Sequence, residues 1–309
     1  MDVIIAGAGA AGCLVGAGAA ALYGLTAKAQ QPRLLPNTSK PTVPYETVEW
    51  TSGGQTVRGW MLPQTGQGKK PAVLVAHGWG SNRSRVLRYA LPLHEAGYSV
   101  LMYDARGHGE SDPYSAPSGL MFKEDLLAAL EWLRTRPDID PDRIGVIGHS
   151  LGGFGAVLAL DDGAPITTLV TDSMPVRFST MIGSELRRRK LPSFPLAHII
   201  PYLMVKRSRI PRSVLKRADP ARILAENVHG RKVPVLLIHS RRDAYVSSAE
   251  LEHVLSRTPG LPHLFVDSEG HSVSERDPAF WPAVQSFFAA HLRPDKENGP
   301  AASAASPSR

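Results

Sequence analysis

The sequence predicts an α/β protein in which helices cover both faces of a mostly parallel sheet. Three observations carry that expectation. Between about Val43 and Leu292, short β-rich runs alternate with helix-like stretches, the pattern of strand–helix–strand crossovers. Hydrophobic residues make up 43% of the 309 positions and charged residues 20%, which suits a large buried core and excludes a disordered chain. Cys13 is the sole cysteine, so a disulfide framework and a cysteine-based zinc site are excluded.

Tyr45–Trp50 and Thr56–Met61 alternate apolar and polar residues, as a hairpin does. Further strands are expected at Ala72–Ala76, Ser99–Tyr103, Ile144–Gly148, Thr168–Thr171, Val233–His239 and His263–Val266. Helices are expected at Ser84–Ala96, Phe122–Arg136, Phe154–Leu160, Ser247–Arg257 and Pro278–His291. This arrangement implies one folded domain over 43–292, interrupted by an insertion at 174–232. A proline-rich linker over 30–42 precedes it, and the Ala/Ser/Pro-rich tail 293–309 is expected to be disordered.

Residues 1–29 form a hydrophobic anchor or signal segment. Val3 to Ala27 carries no charge and is long enough to cross a bilayer core of about 30 Å as a helix. The expected outcome is a single membrane anchor, with Lys28, Arg33 and Lys40 on its C-terminal side. By the positive-inside rule that would leave the main domain cytoplasmic. A cleavable signal peptide is the rival, because Ala27-Lys28-Ala29 fits a small-x-small site, although Met1-Asp2 is no basic n-region. Gly7-Ala8-Gly9-Ala10-Ala11-Gly12 matches a dinucleotide fingerprint, but no acid follows about 20 residues on to hold a ribose. No nucleotide cofactor is expected. Cys13 loosely fits a lipoprotein acylation site, but the apolar run continues past it.

The chemistry gathers at strand ends. Gly148-His149-Ser150-Leu151-Gly152 stands between an apolar strand and a helix-like run, where a sharp turn presents a serine at the carboxyl edge of the sheet. A hydroxyl needs an oriented base to become a nucleophile. Asp243 follows the strand Val233–His239, and His271 follows the strand ending at Val266. Serine, aspartate and histidine therefore occur in the chain order of a triad on this topology. Asp267 and Asp277 compete for the acid's role, and eleven histidines compete for the base's. After Ala72–Ala76 comes His77-Gly78-Trp79-Gly80, where the Trp79 amide, with that of Leu151, would form an oxyanion hole. His77 and His149 are expected to be packed, hydrogen-bonded residues.

Residues from about Val43 to His291 resemble a bacterial serine hydrolase of the α/β-hydrolase family. The matching motifs are His77–Gly80, Asp104-Ala105-Arg106-Gly107-His108-Gly109-Glu110-Ser111, Gly148–Gly153, Asp243 and Gly270-His271. The resemblance implies an α/β-hydrolase fold with a basic helical cap inserted between strands. It also implies Ser150 as nucleophile, Asp243 as orienting acid, His271 as general base, and Trp79 and Leu151 as oxyanion donors. The Asp104–Ser111 stretch is a structural loop in such proteins. Asp243 departs from the pattern in following Arg241 and Arg242 where relatives often have a glycine-containing turn.

The net charge of +7 is local. Arg177 to Lys232 holds 14 Lys and Arg against 3 Asp and Glu, so the insertion is basic and the rest of the chain slightly acidic. Three readings stay open: contact with anionic lipid, recognition of an acidic acyl substrate, or a solvated cap whose apolar run Leu191–Val205 shields the pocket. Nucleic acid is excluded, since no recognition module or interleaved aromatic pattern is present. The expected activity is hydrolysis of an acyl ester, thioester or amide through an acyl-enzyme, with no metal or organic cofactor. The alternative is a non-catalytic membrane-tethered binding module on the same fold.

Overall fold

The computed structural model describes residues 18, 20–188, 190–230 and 233–292. Residues 20–29 are helical (α1). The hairpin β1 (Glu46–Ser52) and β2 (Gln55–Leu62) turns at Gly53-Gly54 and is followed by β3 (Lys70–Ala76). A 3-10 turn, Arg83–Val86, leads into α2 (Leu87–Glu95), then β4 (Ser99–Asp104) and α3 (Gly119–Thr135). The core continues with β5 (Ile139–His149), α4 (Leu151–Asp161) and β6 (Thr168–Asp172). Four helices intervene before the sheet resumes: α5 (Phe178–Arg188), α6 (Leu196–Arg207), α7 (Arg212–Arg217) and α8 (Pro220–His229). The chain then returns through β7 (Val235–Arg242), α9 (Ala249–Arg257), β8 (His263–Glu269) and α10 (Phe280–His291).

The strand order is β1-β2-β4-β3-β5-β6-β7-β8. The β1–β2 and β2–β4 pairs are antiparallel, and every later pair is parallel. The alternation of elements predicts this mostly parallel sheet, and its architecture is the α/β-hydrolase fold that the resemblance implies. Central strands are buried on both faces, which is why they read as apolar runs. One core, around Leu74, Leu101, Val146 and Leu169, lies under α3, α4, α8 and α9. The other, around Val73, Val100, Ile147 and Ile238, lies under α2 and α10. Two local differences follow from capping and pairing. Asn82 accepts from the Arg85 amide, which starts a 3-10 turn before the α-helix begins at Leu87. β5 starts at Ile139, because Ile139 already pairs with Lys70 ahead of a register shift.

The membrane anchor expected at Val3–Ala27 is corrected by the fold. Among the described residues no helix is long and apolar enough to cross a membrane. At the described end of that segment Tyr23 is 50% and Leu25 65% exposed, and the chain is tied to the domain just after it. Thr26 and Gln30 are buried. Gln30 Nε2 donates to the Pro117 carbonyl (3.2 Å) and to Ser208 Oγ (2.7 Å), and Arg207 donates to Gln30 Oε1 (3.0 Å). The Gly7–Gly12 motif, Cys13 and the tail 293–309 lie outside the described residues.

The 30–42 stretch is tied along its length. Gln31 donates to the Ser115 carbonyl, Asn82 to the Leu35 and Pro36 carbonyls, and Asn37 to Asp104. The lipid reading of the basic insertion also loses support, because several of its cations are paired with the domain. Arg177 meets buried Glu250, Arg217 meets Asp161, and Arg222 meets Asp161 and Glu226. The apolar run of the insertion remains helical through Pro201 in α6, leaving Phe194 80% and Tyr202 59% exposed.

Candidate active site

Ser150 joins β5 to α4 at φ 52° and ψ −119°, a conformation that L-residues avoid and that is sustained only by tight surroundings. Those surroundings are backbone. A Cβ on Gly152 would lie 2.3 Å from the Ala76 carbonyl oxygen, and one on Gly78 would lie 2.8 Å from Ser150 Cβ. Only glycine at both positions lets the loop after β3 pass against the serine turn. Trp79 follows directly on that loop. Neither its amide nor that of Leu151 donates to a protein acceptor among the described residues; Leu151 is the first residue of α4, where helix amides have no intrahelical partner.

The three residues singled out at distant strand ends meet. Ser150 Oγ lies 2.9 Å from His271 Nε2, and His271 Nδ1 lies 2.7 Å from Asp243 Oδ2. The other oxygen of Asp243 accepts from the Tyr245 and Val246 amides, each at 2.8 Å. Burial pushes the Asp243 carboxyl upward, but the His271 hydrogen bond and charge together with the two amides outweigh it. The group is held below the usual carboxylate range. A carboxylate facing Nδ1 assigns the ring proton to that nitrogen and leaves Nε2 to accept from the serine hydroxyl.

Of the competing acids, Asp277 is engaged elsewhere. Asp277 accepts from the Asp267 and Ala279 amides at the start of α10. Arg241 and Arg242, the departure noted before Asp243, point outward. Arg241 stacks on Phe265 (4.2 Å) and Arg242 meets Glu269 (2.9 Å), so both brace β7 against β8. In the Asp104–Ser111 loop, Asp104 is buried against Arg83 at 2.9 Å and accepts from the Glu110 amide. His77 is buried and accepts from the Ala105 amide through Nε2 (2.9 Å). Burial brings His77 and His149 down to about 4 and His108 to about 3.

A cavity of about 320 Å³ is lined by Ser184 and Arg187 of α5 and by Ala244 and Tyr245. The Tyr245 ring lies 5.1 Å from that of His271. Among the described residues no group of three His, Cys, Asp or Glu is arranged to hold a metal ion. Sequence reasoning passed over Ser272, which meets His149 at 3.0 Å. Its position beside His271 was the only local signal.

Known proteins resemble this chain in sequence and in fold. The pattern of the serine aminopeptidase S33 family matches residues 67–222, a stretch that includes Trp79, Ser150 and Leu151 and ends before Asp243. The uncharacterized protein Rv2307c of Mycobacterium tuberculosis is 41% identical over 112 residues, covering 36% of this chain and 39% of that protein. The α/β hydrolase domain-containing protein WAV2 of Arabidopsis thaliana is 30% identical over 184 residues, 56% of this chain and 59% of WAV2. The chain thus spans less than two thirds of either relative. Among solved structures, the Pyrococcus furiosus esterase Pf2001 superposes with a TM-score of 0.68 at 25% identity, covering 85% of this chain and 97% of the esterase.

Proposed function

The chain belongs to the serine aminopeptidase S33 family of α/β hydrolases, and from that premise we propose that it is a serine esterase acting through an acyl-enzyme on Ser150. The observation that carries this reading is the continuous line of hydrogen bonds from Asp243 through His271 to Ser150, at 2.7 and 2.9 Å. His271 Nε2 takes the hydroxyl proton as Ser150 Oγ attacks the acyl carbonyl carbon. The Trp79 and Leu151 amides donate to the resulting oxyanion, and the N-terminus of α4 adds its positive end. His271 then delivers the proton to the leaving alkoxide, and Ser150 is left acylated. Water gives a proton to the same nitrogen as its oxygen attacks the acyl carbon, and Ser150 departs with that proton. Asp243 holds the ring in the tautomer this requires and stabilises the imidazolium.

Two further observations favour an ester over a peptide N-terminus. Arg187 lines the cavity together with Tyr245, whose ring neighbours His271, and a cation there repels an ammonium group. The superposed Pyrococcus furiosus protein is an esterase.

A fluorophosphonate probe tests the reading. The wild-type chain should be labelled at Ser150 and should hydrolyse 4-nitrophenyl esters. Ser150→Ala should abolish labelling and lower hydrolysis by at least about 10³-fold. A folded wild-type chain that is neither labelled nor hydrolytic defeats the esterase reading in favour of a non-catalytic module. A graded series of acyl lengths then gives the chain preference of the cavity.

A further inference from the structure

A second acid–histidine–serine chain stands behind the first, built from residues that the proposed cycle does not use. Asp172 ends β6 and is fully buried. Its Oδ2 accepts from Tyr89 of α2 at 2.6 Å and lies 3.4 Å from His149 Nδ1, while its Oδ1 accepts from Ser173 Oγ at 3.1 Å. His149 is 4% exposed, and its Nε2 lies 3.0 Å from Ser272 Oγ. Ser272 directly follows His271, and the two imidazole rings are 4.9 Å apart. Helix α2 reaches the same loop a second time. Arg88 donates to the Tyr89 hydroxyl at 3.0 Å and pairs with Glu275 at 3.4 Å.

Donor and acceptor chemistry orders the protons. A carboxylate only accepts, and Tyr89 already gives its hydroxyl proton to Asp172. His149 Nδ1 faces that carboxylate and therefore carries the ring proton. Burial, which brings this imidazole down to about 4, keeps the ring neutral near pH 7. Its Nε2 is left as an acceptor, so Ser272 is the donor. A side chain anchored in the β5–β6 core thus holds the hydroxyl next in sequence to His271.

We propose that His149 is a positioning residue for the hydrolase: by accepting from Ser272 it fixes the loop 270–276 so that His271 lies between Asp243 and Ser150. This role rests on the serine-hydrolase reading. His149 exchanges no proton with Ser150; it acts only through where it holds the loop. Displacing a catalytic group by about 1 Å can cost on the order of 10²-fold in rate, so the loss of one anchoring hydrogen bond is measurable.

Ser272 is the position to change, because the buried Asp172–His149 pair stays intact. In the full-length chain, Ser272→Ala should lower kcat on a 4-nitrophenyl ester by about tenfold or more while KM is unchanged. Labelling of Ser150 by the fluorophosphonate should slow by the same factor, at an unaltered urea midpoint. Ser272→Thr, which keeps the hydroxyl, should restore both rates. If wild type is labelled and Ser272→Ala is labelled and turns over equally fast, the positioning role is wrong and the hydrolase reading stands. If activity falls only in step with the urea midpoint, Ser272 is merely structural and the proposal is again overturned. A wild-type chain that is never labelled overturns both.

Discussion

Two acid–histidine–serine chains run side by side at the carboxyl edge of the sheet, and they differ in exposure and in what Nε2 faces. In Asp243–His271–Ser150 the imidazole side chain is 19% exposed, and its Nε2 meets a hydroxyl held on a strained turn. In Asp172–His149–Ser272 the imidazole is 4% exposed, and its Nε2 meets a loop hydroxyl. The residue types are the same, and the hydrogen-bond lengths at Nε2 are nearly so. What separates them is burial. An imidazolium at His149 would be stripped of water, and burial outweighs the help of Asp172. His271 keeps part of its ring in contact with solvent. Under the proposed function, exposure and the serine's backbone distinguish the two chains as much as their side chains do.

The comparison can be broken from the acid end first. Asp243→Asn removes the charge that holds the Nδ1–H tautomer of His271, and kcat on a 4-nitrophenyl ester should fall by about 10⁴-fold. The urea midpoint should change little by comparison, since the two amides that bond Asp243 can also bond an asparagine oxygen. A loss below about tenfold would show that another acid orients the ring.

In the sealed chain the larger effect should be on stability. His149→Leu takes one hydrogen-bond partner from a buried carboxylate and should lower the unfolding free energy by about 2–3 kcal/mol, measured by urea denaturation. An unchanged midpoint would mean that Tyr89 and Ser173 satisfy Asp172 without it.

The most gradual effect is on pH dependence. Burial lowers His77, His108 and His149 from 6.5 to about 4, about 3 and about 4. Between those values and 6.5 the unfolded chain binds protons that the folded chain refuses. Unfolding free energy should therefore fall as pH drops through that window, by at most about 1.4 kcal/mol per pH unit for each histidine. Asp172 and Asp243 are held low, so the stability they contribute is lost only at more acid pH. Urea midpoints taken stepwise from neutral pH downward should show the histidine loss first. A flat profile to about pH 5 would contradict sealed, neutral rings.

Much of this molecule is legible in one dimension. The parallel strands announce themselves because burial on both faces demands unbroken apolar runs, as at Val73–Val75 and Val146–Ile147. The serine turn is legible because its strain is local and calls for glycine at adjacent positions. The segment before Lys28 misled for a complementary reason. An uncharged run rich in Ala and Gly states only that it avoids water. The contacts of Gln30 with Pro117 and Ser208 tie the chain to the domain just after it. The insertion was expected to be helical, but its division into four helices was not legible, since α6 continues through Pro201.

The sequence by itself determined the fold class, the order of serine, acid and histidine along the chain, and the turn that presents Ser150, since each depends on neighbours a few residues apart. The tertiary structure alone decided that Asp243 rather than Asp267 or Asp277 faces His271. It alone set His149 against Ser272, residues 3.0 Å apart in space on β5 and after β8. Proton affinity and hydrogen-bond partnership depend on burial and on distances of a few ångströms, and those arise only when separate strands come together in one sheet.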